Sequence, residues 1–232
     1  MMTRTRPIVA IDGPVGAGKS TVARALARAL NFSYLNTGAM YRAVAVAARY
    51  IKLDESAAAG RLEQLLESIA ISFDGERVLL NGEDVTGEIS QPAIGDLASR
   101  LSALPAVRAH LRQLQRAAGE AGAIVIEGRD IGTAIFPDAE FKFFLTAGLM
   151  VRAARRFAEL AARGVKITQA EVEAQLEERD HRDQQRELAP LRRAADAIVI
   201  DSSELDVEQV VRVMMDRILR KEERSQTGES KA

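Results

Sequence analysis

The 232-residue chain contains no cysteine, which removes disulfides, thiolate nucleophiles and cysteine-based zinc sites from consideration and fits a reducing compartment. Its two histidines, His110 and His181, have no companion at metal-ligand spacing and read as structural or surface residues. No apolar run approaches the ~20 residues needed to cross a bilayer. The opening MMTRTRPIV lacks an apolar secretory segment, so a cytoplasmic protein is expected. A strong charge of one sign is also missing: the formal net charge of -1 argues against nucleic-acid binding through bulk positive charge. No guanine-reading N-K-x-D segment occurs. What the chain has in excess is arginine, since only six of its 32 basic residues are lysine. Arginine suits bidentate phosphate recognition. Solvated helix surface or compositional bias accounts for much of such a surplus as well.

The stretch GPVGAGKST, Gly13 to Thr21, follows the apolar run PIVAID and precedes VARALARAL. Gly13, Gly18, Lys19 and Ser20 satisfy G-x-x-x-x-G-K-[ST] in the context it requires, a β-branched strand before and a helix after. A loop wrapped round polyphosphate turns successive backbone N–H groups inward, which needs glycine at positive φ. A helix starting near Lys19 adds its unpaired N–H groups and the positive end of its dipole. The loop residues Gly13, Pro14, Val15, Gly16, Ala17, Gly18, Lys19, Ser20 and Thr21 are thus expected to hold the phosphates of ATP. Lys19 would bridge the terminal groups and Ser20 would offer its hydroxyl to Mg²⁺. The plainer alternative is a glycine turn that only packs a strand on a helix.

Beyond the loop, strand and helix patterns alternate. VARALARALN stops near Asn31, FSYLNTG reads as a strand and turn, and AMYRAVAVAARYI as a helix. The segment from Ile71 to Ile89 breaks this pattern, because Asp74-Gly75 and Asn81-Gly82 have the chemistry of tight hairpins and predict a small antiparallel insert. Helical pattern resumes from Pro92 to about Ala121 with a break at Pro105. AIVIEGRD, FKFFLTA and DAIVIDSS read as strands separated by helices, and five apolar strands in all imply an α/β fold with a parallel sheet covered on both faces. No internal repeat is present.

Polar residues just after parallel strands face the crevice where ligands bind, which singles out Asn36, Thr37, Arg129, Asp130 and Asp201. Arg129 can clamp a phosphate while Asp130 accepts from a base or sugar; a salt-bridged turn would carry the same residues. Arg42 lies one helical turn from Thr37 and Gly38, where an exposed arginine would be equally ordinary. In RDHRDQQR, the three- and four-residue spacing of Arg179, Arg182 and Arg186 predicts one helix face, with Asp180 and Asp183 between them. A solvated face of ion pairs has the same pattern.

Taken in order, GPVGAGKST, NTGAMYR, NGEDVTGEI, EGRDIGTAIFPDA, ERDHRDQQRELAPL and AADAIVIDSS resemble bacterial cytidylate kinases, from about Ile8 to Arg217. The phosphate loop is shared by many nucleotide hydrolases, whereas GRDIGT and RDxRDxxRxxAPL are far more specific. The resemblance implies a three-layer P-loop kinase fold with a five-stranded parallel sheet, a small antiparallel monophosphate-binding insert and a helical lid. It implies transfer of the ATP γ-phosphoryl group to CMP or dCMP, with Mg²⁺, by a monomer without nucleic-acid or membrane partners. On this basis one domain is expected over 7–220, with core 7–60, 93–150 and 185–220, insert about 61–92, lid about 151–184, and disordered ends 1–6 and 221–232.

Carried over position by position, Arg42, Arg129 and Arg186 would hold the CMP phosphate, Arg179 and Asp183 the ribose hydroxyls, and Ser99, Arg108 and Asp130 the cytosine, with Thr37 lining the same site. Lys19, Arg129, Arg186 and the lid arginines Arg155 and Arg156 would neutralise charge in the transition state. Thr37 stands where some relatives have serine and keeps the hydroxyl; Asn36 stands where aspartate is common. Ser90 and Gln184 replace arginines of some relatives and are not expected to touch phosphate. Two rival readings remain at this level. One is a P-loop kinase for another acceptor; the other is a nucleotide-driven switch or motor, for which AIVID before Ser202 offers a Walker B-like strand and acid.

Overall fold

The computed structural model describes residues 6–54 and 59–226, which divide into two compact units. Of the described residues, the first contains 6–35, 119–185 and 189–226; the second contains 36–54, 59–118 and 186–188.

The first unit is built on β1 (Ile8–Asp12), α1 (Lys19–Leu30) and β2 (Ser33–Asn36), whose last residue begins the second unit. All five residues of β1 are buried, as a central strand of a parallel sheet requires. Further along the chain come β6 (Ile124–Glu127), the π-helical turn Ile131–Ile135, β7 (Phe141–Thr146), α7 (Leu149–Ala162), α8 (Gln169–Gln185), β8 (Ile198–Asp201) and α9 (Val207–Gln226). The sheet runs β2-β6-β1-β7-β8, with β1 parallel to both neighbours; Val9 lies opposite Val125 on one side and Phe141 on the other. Val9, Ile11, Val125, Phe143, Leu145 and Ile200 point to one face, which Val22 and Leu26 of α1 cover together with Val210, Met214 and Ile218 of α9. The alternate residues Ile8, Ala10, Ile124 and Ile126 are buried too, so neither face of β1 or β6 meets water. Asn31 ends α1 at φ 53, its backbone N–H donating to the carbonyls of Ala27 and Arg28.

The second unit holds α2 (Thr37–Tyr50), α3 (Ala59–Ser68), β3 (Ile71–Asp74), β4 (Arg77–Leu80), β5 (Glu83–Asp84), α4 (Thr86–Ile89), α5 (Pro92–Leu101) and α6 (Pro105–Ala118). Helix α2 follows its strand without a loop because the Asn36 side chain accepts from the Ala39 N–H at 3.0 Å. Residues Ala43 to Ala48 are buried on every side, so α2 is the central rod of this unit. Strands β3, β4 and β5 form the expected antiparallel sheet. Asn81 at φ 51 and Gly82 at φ 85 make the two-residue turn between β4 and β5 that the sequence predicts. Prolines open both α5 and α6, where a missing N–H costs nothing.

Three expectations are revised. The second unit is much larger than an insert over 61–92, because α5 and α6 both pack on α2; periodicity shows that a helix has a buried face, not which body buries it. Helix α8 ends at Gln185, so Arg186 does not share a helix face with Arg179 and Arg182 and belongs to the second unit. Helix α9 continues to Gln226, which makes the segment 221–226 helical rather than disordered; 227–232 lie outside the described residues. At the other end, the Arg6 guanidinium lies 5.0 Å from the Phe32 ring centre, and 1–5 lie outside the described residues.

The start of the phosphate loop tolerates no side chain. Gly13 adopts φ 146, and a Cβ there would stand 1.9 Å from the Leu145 carbonyl oxygen of β7. Gly75, at φ 59, has open space around it. Gly13→Ala is therefore expected to lower stability by about 2 kcal/mol or more, and Gly75→Ala by roughly 1 kcal/mol, in urea unfolding. Equal shifts of the two midpoints would show that the clash at Gly13 is relieved.

Candidate active site

The first unit carries the phosphate loop between β1 and α1. Gly13, Gly16 and Gly18 have φ 146, 78 and 88, and Lys19 is the first residue of α1. The Lys19 side chain is buried and its Nζ donates to the Pro14 carbonyl of its own loop at 2.7 Å. Burial, helped by the Arg129 guanidinium, lowers its pKa to about 7, against the pull of Glu127 and Asp12. Arg179 also acts on Lys19 as a neighbouring cation. Lys19, Arg129 and Arg179, from three separate chain segments, thus converge.

Buried carboxylates frame these cations. Asp12 ends β1 and accepts from the backbone N–H groups of Ile131 and Gly132, each at 2.8 Å. Burial raises its pKa to about 6; the two N–H donors and Lys19 lower it, and Asp130 adds to the rise. Asp12 thereby fixes the turn that follows Arg129 and Asp130. Asp130 is buried, and its backbone carbonyl accepts from Ala134 and Ile135 at 2.8 and 3.1 Å. Glu127 ends β6, next to β1, and its Oε1 accepts from the Tyr34 hydroxyl at 2.9 Å. Burial first, and Glu127 second, push the Tyr34 phenol well above its usual range, while the Ser20 hydroxyl beside it eases that shift.

Arg129 donates through Nε to Asp183 Oδ2 at 2.9 Å, with 18% and 6% of the two side chains exposed. The residues expected at the acceptor phosphate and at the ribose are therefore joined by an ion pair that orients the guanidinium. Arg179 precedes Asp183 by one turn of α8. Arg155 donates to the Ser202 carbonyl at 2.6 Å and hydroxyl at 3.1 Å, while Arg156 pairs with Glu159 at 2.6 Å. Both expected lid catalysts thus have protein partners in this structure.

The second unit carries the other expected residues. Thr37 is buried at the first turn of α2, and Arg42 donates to the Ile89 carbonyl at 3.4 Å. Arg108 of α6 is 9% exposed and donates to the Ser102 carbonyl at 3.3 Å, while the Ser102 hydroxyl donates to the Ser99 carbonyl at 2.7 Å. Ser99 and Arg108 are brought together through Ser102. The Ser99 hydroxyl is buried with no hydrogen-bond partner among the described residues. Arg186 lies in the short segment of this unit that follows α8.

Asp201 does not behave as a Walker B acid. It is exposed, its carboxylate accepts from the Ser203 N–H and hydroxyl, and β8 is separated from β1 by β7. Glu127, on the strand beside β1, has the burial and position that Asp201 lacks. Sequence reasoning missed both Asp12 and Glu127, although an acid closing an otherwise apolar strand, IVAID or IVIE, was a usable signal. Among the described residues, no group of three or more His, Cys, Asp or Glu could hold a metal. The hard oxygens of Ser20 and Glu127 near Tyr34 suit instead a Mg²⁺ that arrives with phosphates supplying other ligands.

Charging Lys19 is disfavoured in the fold, so the unfolded chain holds more protons at this residue between pH about 7 and 10.5. Its contribution to stability accordingly rises with pH across that window. Lys19→Met is expected to raise the thermal midpoint of the nucleotide-free protein at about pH 6, with the advantage shrinking by about pH 9. A pH-independent difference between the two proteins would contradict the low pKa.

The cytidylate kinase family profile matches residues 9–220. A cytidylate kinase of Citrifermentans bemidjiense is 50% identical over 211 residues, covering 89% of this chain and 90% of the relative. One of Thermotoga maritima is 46% identical over 212 residues, covering 91% and 94%. Among solved structures, an uncharacterized protein from Eubacterium ventriosum shares the fold at a TM-score of 0.51 and 15% identity, over 92% of this chain and 98% of that one. With a family match over nearly its whole length and relatives near half identity, the chain belongs to the cytidylate kinase family.

Proposed function

We propose that the protein transfers the γ-phosphoryl group of ATP to CMP or dCMP, giving CDP or dCDP. Membership of the family makes it a nucleoside monophosphate kinase, a phosphotransferase. The observation that carries the reading is the convergence of Lys19 with Arg129 and Arg179, beside the acids Glu127 and Asp12. A buried lysine beside two partly buried guanidinium groups suits a polyanion. The proposal places the enzyme in the cytoplasm, as a monomer acting on small molecules without nucleic-acid or membrane partners. Among the described residues, no helix is long and apolar enough to cross a membrane.

Phosphoryl transfer passes through a spread-out, metaphosphate-like transition state, so the protein's task is alignment and charge stabilisation. The acceptor is a phosphate oxygen, already anionic at neutral pH, and needs no strong base. Lys19 exchanges the Pro14 carbonyl for donor phosphate oxygens, and the polyanion restores its full charge. Arg129, oriented by Asp183, holds the CMP phosphate together with Arg42 and Arg186, while Arg179 and Asp183 serve the ribose. Ser20 and Glu127 would hold Mg²⁺, whose charge would neutralise the donor phosphates when bound. Arg155 and Arg156 act on the transferring group after leaving Ser202 and Glu159. Closure of the α7–α8 hairpin excludes water as a competing acceptor.

Cytosine is read by Asp130, Ser99 and Arg108. The N4 amino group donates to the Asp130 carboxylate, and Arg108 donates to ring acceptors. Uracil reverses donor and acceptor at N3 and position 4, leaving buried groups opposed at about 1–3 kcal/mol each. The test is ADP production from Mg-ATP with CMP, dCMP, UMP, AMP, GMP or no acceptor. ADP formation dependent on CMP and dCMP, with UMP far behind, is expected; equal production without acceptor would refute the kinase reading. Asp130→Ala is expected to reduce the CMP-to-UMP ratio of kcat/KM by about tenfold or more, and an unchanged ratio would remove Asp130 from base recognition.

A further inference from the structure

A loop that turns its N–H groups toward phosphate turns its carbonyls away from it, because the two groups of a planar trans peptide point in opposite directions. Those outward carbonyls need partners of their own. Three have side-chain donors here. Lys19 reaches Pro14, Arg152 Nη1 reaches the Val15 carbonyl at 3.1 Å, and the Ser202 hydroxyl lies 3.1 Å from the Ala17 carbonyl. The peptide that begins with the Val15 carbonyl carries the Gly16 N–H, and the one that begins with Ala17 carries the Gly18 N–H.

Arg152 is not a solvated helical arginine. It is 7% exposed, and its Nε donates to the Ala147 carbonyl at 2.9 Å. Nη1 also meets Asp180 Oδ2 of α8 at 2.6 Å. Its Cβ and carbonyl would lie 3.0 and 3.2 Å from a Cβ at Gly16, so its backbone presses on the loop. Val15 in turn packs on the apolar cluster Ala153, Leu160, Val172 and Leu176 of the α7–α8 hairpin. Ser202 is 3% exposed and accepts from Arg155 at 3.1 Å. Its one proton goes to Ala17 or to the Thr146 carbonyl, 3.0 Å away. Accepting from a guanidinium strengthens the bond that the hydroxyl donates.

We propose that Arg152 and Ser202 are positioning residues for the donor phosphates. They hold the Val15–Gly16 and Ala17–Gly18 peptides from behind, so that the Gly16 and Gly18 N–H groups are presented to the phosphate before it arrives. Arg152 has the larger share, since it also ties the loop to α7 and, through Asp180, to α8. The inference rests on reading the loop as the ATP site, which makes the donor side, not the acceptor side, the place where its loss is felt.

The experiment measures calorimetric binding of ATP, inorganic triphosphate and CMP to the full chain, with thermal midpoints, for the wild type, Arg152→Met, Arg152→Lys and Ser202→Ala. Arg152→Met is expected to weaken ATP and triphosphate binding about tenfold or more while CMP binding changes by less than about twofold. Arg152→Lys is expected not to rescue, because one ammonium cannot serve Ala147, Val15 and Asp180 together. Ser202→Ala, which removes only a hydroxyl and serves if Arg152→Met does not fold, is expected to weaken ATP and triphosphate selectively by about threefold. Equal losses for ATP and CMP, full rescue by lysine, or unchanged ATP affinity in folded variants would overturn the proposal. A wild type that binds neither ATP nor triphosphate would refute the reading of the loop itself, an outcome visible before any variant is compared.

Discussion

Charges withheld from water must be compensated by one another or by a ligand, and the ends of β1 and β6 are organised by that requirement. Asp12 and Glu127 close two adjacent, wholly buried strands, and Lys19 opens the helix that follows the first. Each acid is held by donors: Asp12 by two backbone N–H groups, Glu127 by a phenol. Lys19 is held at a pKa of about 7 first by its burial and then by the neighbouring Arg129 guanidinium, against the pull of Glu127 and Asp12. The glycine conformations, the π-helical turn and the Arg129–Asp183 pair all keep this charged corner in place without water.

The arginines divide by what holds them. Arg129 and Arg152 sit in partly buried ion pairs, where guanidinium geometry is set by a carboxylate and by carbonyls. Pairs of this kind contribute little net stability once desolvation is counted, yet breaking one leaves an uncompensated charge. Arg155 and Arg156 are held by bonds that a phosphate can replace: a serine, and a glutamate on the same helix that is 43% exposed. The first two guanidinium groups are fixed in orientation, whereas the second two hold partners that are more easily exchanged.

Much of this was legible in the sequence because it depends on local chemistry. The phosphate loop, the Asn-Gly hairpin, the stop at Asn31 and the prolines at 92 and 105 each express one residue's backbone preference. Placement of Arg129 and Asp130 followed from the rule that ligands bind beyond the ends of parallel strands. The boundary of the second unit was not legible, because the buried stripes of α2, α5 and α6 look the same whichever body covers them. Nor was Arg152: its sequence neighbours are those of any arginine-rich helix, and its importance lies in carbonyls of residues 15 and 147 that carry no side-chain signature.

The position of β1 has a consequence for how the chain becomes an enzyme. This strand lies between β6 and β7, and the hydrogen bonds that Asp12 accepts from the Ile131 and Gly132 N–H groups span 119 and 120 residues of sequence. During synthesis the apolar IVAID segment therefore emerges long before either strand that will flank it. Non-local pairing of this kind is slow and leaves hydrophobic surface open to other chains in the interval. The phosphate loop is made early and completed late, so a chain interrupted before β7 has its signature motif but not the sheet that gives it shape.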